Sequence, residues 1–109
     1  MVKMETIDEL LKRGREVTDN YKNAGHKWNK HSQLLKIYEE VAELHAGNKG
    51  VVGPYSLEEG CDIIYAVLTY FHITDFSDEI IKYQLEQTMR KIEQRSEKAL
   101  VNQMEKQSV

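Results

Sequence analysis

The sequence predicts an all-α protein of four helices in one domain. Three observations carry this. One proline and six glycines in 109 residues leave few breaks, so the helices should be long. A charged fraction of 30% beside an apolar fraction of 40% suits a soluble helical chain. Apolar residues recur three and four apart, which is the helical period. The length fits one domain with a small core and much exposed surface.

The first helix is expected over 6–23. Thr6-Ile7-Asp8-Glu9 has the spacing of a capping box, a hydroxyl followed three residues later by a carboxylate. Ile7, Leu10, Leu11 and Val17 form an apolar stripe that reaches Tyr21, while Lys12, Arg13, Arg15 and Glu16 face solvent. Gly25 suits a helix stop. A polar connector follows, holding His26, Trp28 and His31. Trp28 has two readings. It closes the end of the core, as large aromatics commonly do, or it forms a wall on which a flat base stacks.

The second helix is expected over 32–46, with Ser32 as its cap. Leu34, Ile37, Tyr38, Val41, Leu44 and His45 follow helical spacing and are assigned to the core. Glu40 and Glu43 fall at the border of that stripe, and Glu39 lies further round. Gly47, Gly50, Gly53 and Pro54 predict a loop over 47–55. The third helix is expected over 57–73. Ser56-Leu57-Glu58-Glu59 repeats the capping-box spacing, which would bend Glu59 back to the backbone of Ser56. Either Ser56 alone is the cap or the helix starts elsewhere. This helix is apolar nearly all round and should be central. After a turn over 74–78, with Ser77 as cap, the fourth helix runs to about 100. Its stripe of Ile80, Ile81, Leu85, Met89 and Ile92 is sparse. Residues 1–5 and those after about 101 are expected to fray.

The totals exclude several functions. A net charge of −3 disfavours general binding to nucleic-acid polymers. A single cysteine, Cys61, rules out an intrachain disulfide, and its default place is buried packing. No signal-peptide pattern and no run of roughly 20 apolar residues is present, so a cytoplasmic protein without a membrane span is expected.

Two acidic stretches remain, Glu39-Glu40-Val41-Ala42-Glu43 and Glu58-Glu59-Gly60-Cys61-Asp62. Each places carboxylates three residues apart, on one helix face. Glu59 and Asp62 open the most apolar helix, and buried carboxylates need partners or a metal. Four oxygen donors, Glu40, Glu43, Glu59 and Asp62, suit magnesium, with manganese as the alternative. The absence of Cys and His at these spacings argues against structural zinc. No histidine has a glutamate three residues before it, which excludes the usual di-iron bundle pattern.

The order Glu-Glu-x-x-Glu, a gap, then Glu-x-x-Asp resembles the MazG-like all-α nucleoside triphosphate pyrophosphohydrolases. Leu34-Leu35-Lys36-Ile37-Tyr38 before the first motif, Ile63-Ile64-Tyr65 after the second, and Trp28-Asn29-Lys30-His31-Ser32 upstream also look like that family. The likeness spans roughly 28–95. It implies a MazG-type, four-helix-bundle-like fold that oligomerises through helix packing, as a homodimer or homotetramer. It implies magnesium-dependent cleavage between the α and β phosphates of an NTP or dNTP, giving a monophosphate and pyrophosphate. By that analogy Glu40, Glu43, Glu59 and Asp62 bind the metal, and Glu39 orients the attacking water. Trp28, His26 and Tyr55 are candidates for the base pocket. Many relatives carry Lys where Thr88 aligns here, so Arg90, Lys91 or Arg95 is expected to contact phosphate instead. The alternatives are a relative acting on dUTP or phosphoribosyl-ATP, and a non-catalytic helical dimer that binds a nucleotide or a protein.

Overall fold

The computed structural model describes residues 6–47 and 54–107, without the side chains of residues 47 and 54–56. Four helices account for the regular structure of these residues, and none of them is in a strand: α1 Ile7–Asn23, α2 Lys30–Gly47, α3 Pro54–Ile73 and α4 Asp78–Gln107. No helix among the described residues is long and apolar enough to cross a membrane. The chain divides into two compact units, Met1–Asp78 and Glu79–Val109.

In the first unit α3 packs against both α1 and α2. Its central place follows from its composition, since a helix apolar on every side needs neighbours on more than one. Leu11 is fully buried, and Ala66 and Leu68 are buried with it. Thr18, Thr69 and His72 share the interior, so this core is small and partly polar.

The ends of α1 follow the sequence closely. Thr6 is extended (φ −139°), and its hydroxyl accepts from Glu9 N–H at 3.2 Å. At the far end Gly25 takes φ 99°, a conformation that disfavours a side chain. Gly25 N–H donates to Lys22 O, and His26 N–H donates to Tyr21 O at 2.9 Å. This pair of bonds is a Schellman cap, and it turns His26 and Trp28 back toward the helix end.

Several boundaries and faces differ from expectation. α2 starts at Lys30, because Asn29 caps it: its side-chain oxygen accepts from Ser32 N–H at 3.0 Å. α3 starts at Pro54, a residue favoured in the first helical turn. The predicted loop therefore gives its last residues to α3, and residues 48–53 between the helices lie outside the described part. The Ser56 side chain lies outside it too, but residue 56 is already within the helix, not at its cap position. Nothing then requires Glu59 to bend back as a capping residue.

The buried line of α1 is Leu11, Gly14 and Thr18, while Ile7, Val17 and Tyr21 are exposed. On α2, Leu34, Tyr38, Val41 and His45 are exposed, not in the core. The face turned to α3 carries Gln33, Ile37, Glu40 and Leu44 instead. A polar anchor sets this rotation: Gln33 Nε2 donates to Ala66 O at 2.9 Å inside the interface. Cys61 is exposed, against its expected burial.

Asp75, at φ 62°, ends α3 with a left-handed residue, and Thr74 Oγ1 donates to Phe71 O at 2.9 Å. The second unit contains α4 beyond Asp78. The helix continues to Gln107 rather than fraying near 101. No Gly or Pro lies within it, and Glu86–Arg90 adds a pair four residues apart at 3.0 Å. Residues 1–5, also expected to fray, lie outside the described part.

Candidate metal centre and groove

α2 and α3 run antiparallel, and two residue pairs fix their register. Gln33 reaches Ala66, and seven residues on along α2, Glu40 meets Glu59, seven residues back along α3. Two helical turns thus carry the register from a hydrogen bond to a pair of carboxylates. Glu43, three residues beyond Glu40, joins them. Oxygens of Glu40, Glu43 and Glu59 lie within 4.8 Å of one another.

Burial makes this cluster unusual. Glu40 is 7% exposed and Glu59 8%. Each has one buried oxygen, Oε2, without a hydrogen-bond partner. An ionised carboxylate in that state is costly and calls for a positive charge. Lys36 provides part of it, with Nζ 3.0 Å from Glu40 Oε1 and 3.8 Å from Glu39 Oε2. Its hydrogen bond to Glu40, followed by the Glu40 charge, raises the Lys36 pKa above the ordinary lysine value. The Glu43 carboxyl is raised above its usual range, first by the charge of Glu40, then by desolvation and by Glu59.

The donor set fits a hard divalent cation. It is all oxygen, it comes from two helices, and two of its oxygens lack any other partner. Asp62 stands outside the three-carboxylate cluster. It is exposed and lines the adjoining groove beside Glu40. Glu39 is exposed, in keeping with a place further round α2.

The groove has a volume of about 650 Å³, and Trp28, Gln33, Lys36, Glu40, Asp62 and Tyr65 are among its walls. Trp28 is half-buried, and its Nε1–H donates to Thr18 O at 3.0 Å, which ties the indole to α1. His26 packs edge-on against it, with ring centroids 4.2 Å apart, and Tyr21 does so at 6.1 Å. Trp28 thus packs at the end of α1, in keeping with the first of its two readings, and it lines the groove as well. His26 lines the groove too. The side chain of Tyr55, the third base-pocket candidate, lies outside the described part.

Arg90, Lys91 and Arg95 stand exposed on α4, in the unit that does not carry the carboxylates. Arg90 is engaged within its own helix by Glu86. The residues that sequence reasoning missed are Gln33, Lys36 and Tyr65. For Lys36 a signal existed, its place four residues before Glu40 on one helix face. For Gln33 none did, since a glutamine in an apolar stripe reads as solvated until its partner carbonyl is known.

No family model, no curated protein and no solved structure significantly matches the chain.

Proposed function

We propose that the protein is a magnesium-dependent nucleoside triphosphate pyrophosphohydrolase of the MazG-like kind, with manganese as an alternative cation. It hydrolyses the α–β phosphoanhydride of an NTP or dNTP, consuming one water and releasing a monophosphate and pyrophosphate. The observation that carries this reading is the meeting of Glu40, Glu43 and Glu59, with two buried and unpartnered oxygens, beside a groove walled by Trp28.

In this reading Glu40, Glu43 and Glu59 hold the cation, and Asp62 reaches it from the groove. When bound, magnesium screens phosphate oxygens, polarises phosphorus and makes a bound water more acidic. The chain's own residues do the rest. Glu39 orients the attacking water from the exposed side of α2. Trp28 offers an aromatic face to the base, with His26 packed edge-on against it. Burial of Glu40 and Glu59 fixes their carboxylates before substrate arrives, so little ordering remains to be done. The family likeness suggests one of Arg90, Lys91 and Arg95 as a phosphate contact; these residues lie in the other compact unit, and the carboxylates and the groove do not depend on them.

The protein is read as a cytoplasmic, house-cleaning enzyme that works as a homodimer or homotetramer of MazG-type bundles. Leu34, Leu35, Tyr38 and Val41 support the oligomer, since they leave an apolar face of α2 in solvent, Tyr38 at 72% exposure. Sedimentation at micromolar concentration should give at least a dimer, and a monomer alone would sink that part.

The reaction is tested by incubating the protein with a panel of NTPs and dNTPs plus magnesium and separating the products. Monophosphate plus pyrophosphate is expected. Diphosphate plus phosphate would overturn the bond assignment. No turnover of any nucleotide, together with unchanged metal binding by Glu40→Gln, would overturn the site.

A further inference from the structure

We infer that Lys36 is a shared cation of this site: it neutralises Glu40 while the carboxylates hold no divalent cation, and turns to the phosphates of the substrate once they do. This rests on the proposed reading and deepens it, because it names a protein group within the groove that meets the triphosphate.

The geometry gives Lys36 access to both partners. Its ammonium lies 3.0 Å from Glu40 Oε1, an atom of the carboxylate cluster, and the residue also lines the groove with Trp28 and Tyr65. The two halves of the pair are unequal. The Glu40 side chain is 10% exposed and held, whereas that of Lys36 is 53% exposed on a flexible four-carbon stem. If one of them moves, it is the lysine.

The pair is also easily exchanged. Lysine placed four residues before glutamate is the less favourable order on a helix. Solvent screens an ammonium this exposed, so its bond to Glu40 is weak. A divalent cation on Glu40 would repel the ammonium at such a distance. A triphosphate, arriving with several negative charges beside Glu40 and Asp62, needs a cation on that wall. Among the described residues Lys27 and Lys36 are the lysines lining the groove, and Lys36 is the one paired with a carboxylate.

Two linked consequences follow, because coupling between sites is reciprocal. Removing the ammonium removes a competitor for Glu40, so a divalent cation binds more tightly. It also removes a phosphate partner, so a polyphosphate binds less tightly.

The test measures Mn²⁺ binding by electron paramagnetic resonance, and inorganic tripolyphosphate binding by calorimetry at saturating Mn²⁺. Wild type, Lys36→Met and Lys36→Arg are compared. Lys36→Met should bind Mn²⁺ about two- to fivefold more tightly, the scale of an exposed ion pair. It should bind tripolyphosphate about tenfold more weakly, the scale of one charge-assisted hydrogen bond. Lys36→Arg, which keeps the charge, should follow wild type in both. Unfolding midpoints report the integrity of each variant. Wild type that binds Mn²⁺, with Lys36→Met unchanged in either measurement, would overturn the shared-cation role and leave the metal site standing. Wild type that binds no Mn²⁺ would overturn the site and Lys36's role with it.

Discussion

Glu40 on α2 and Glu59 on α3 face each other, each with a buried Oε2 that no hydrogen-bond donor reaches. The fold tolerates an arrangement that costs it stability, which is the usual mark of a site kept for function. Glu59→Gln should therefore raise the unfolding free energy of the metal-free protein by about 1–2 kcal/mol, since an amide relieves the repulsion and supplies a donor. The same change should weaken Mn²⁺ binding at least tenfold. In wild type, magnesium at about 100 times its Kd should add about 2.7 kcal/mol, and a tenfold weaker variant at most about 1.4 kcal/mol at that concentration. Urea midpoints with and without magnesium measure all of this. A variant less stable than metal-free wild type would show that the carboxylate has a structural partner.

Much of this fold was legible, and the failures share a cause. Thr6 and Gly25 announced the ends of α1 because capping is local chemistry: a hydroxyl three residues from a free N–H, and a residue able to take φ 99°. The four helices followed from periodicity, and the central place of α3 from its apolar composition. The rotation of α2 did not, because it rests on the Gln33–Ala66 hydrogen bond, a contact 33 residues apart in sequence. Periodicity chose Leu34, Tyr38 and Val41 for the interior, and the antiparallel register placed Gln33 and Glu40 there instead. Three of the four expected carboxylates, Glu40, Glu43 and Glu59, come together and were legible for the opposite reason, while Asp62 stays outside their cluster. Its members recur at fixed spacing within each helix, and only the facing of the two helices remained to be supplied.

Gly14 and Gly60 should respond oppositely to alanine. Both lie in helices, where alanine is favoured over glycine by about 1 kcal/mol. A Cβ on Gly60 meets nothing within 4 Å, so Gly60→Ala should gain most of that. A Cβ on Gly14 would sit 3.0 Å from His72 Cε1, a ring that is itself buried and has little room to retreat. Overpacking of this kind costs about 1–3 kcal/mol, so Gly14→Ala should destabilise by about 1 kcal/mol net. Trimming the ring in Gly14→Ala/His72→Ala should remove the clash and give a non-additive cycle. Additive effects in denaturant unfolding would show that His72 is not the obstacle.

Arg15 fastens α1 to the segment that follows α3. Its Nη2 and Nε both donate to Asp78 Oδ1, at 2.7 and 3.2 Å, and Nη2 also donates to Phe76 O at 2.9 Å. The pair is about one-third exposed, so screening lowers its worth. Asp78→Asn should destabilise by about 1 kcal/mol, and salt should narrow the gap from wild type. The chain also shortens its lever here: Phe76 O stays available to Arg15 in the variant. Arg15→Met loses all three bonds and should cost more than Asp78→Asn. Equal losses in thermal unfolding at low salt would mean that the carbonyl contact contributes nothing.

The same aspartate oxygen stands 3.7 Å from His72 Nε2, too far for a good hydrogen bond, and neither ring nitrogen has a partner. Desolvation is the first cause that lowers the His72 pKa, and the charge of Arg15 is the second; Asp78 and Asp19 oppose them. The native protein therefore keeps His72 neutral at pH values where the unfolded chain protonates it. The sign follows from proton counting. Below the unfolded value of about 6.5, the unfolded state binds more protons than the native state, so acid favours unfolding. The stability that neutral His72 contributes is complete above that pH and is lost as pH falls toward the lower native value. The slope from this one group is at most about 1.4 kcal/mol per pH unit. His72→Leu, which fills a similar space and cannot titrate, should flatten the decline below about pH 6.5. The two proteins differ only at residue 72, so the difference between their profiles isolates that residue. Parallel profiles in urea unfolding would show that His72 accepts its proton as readily in the native state as in the unfolded one, with Asp78 turning to meet it.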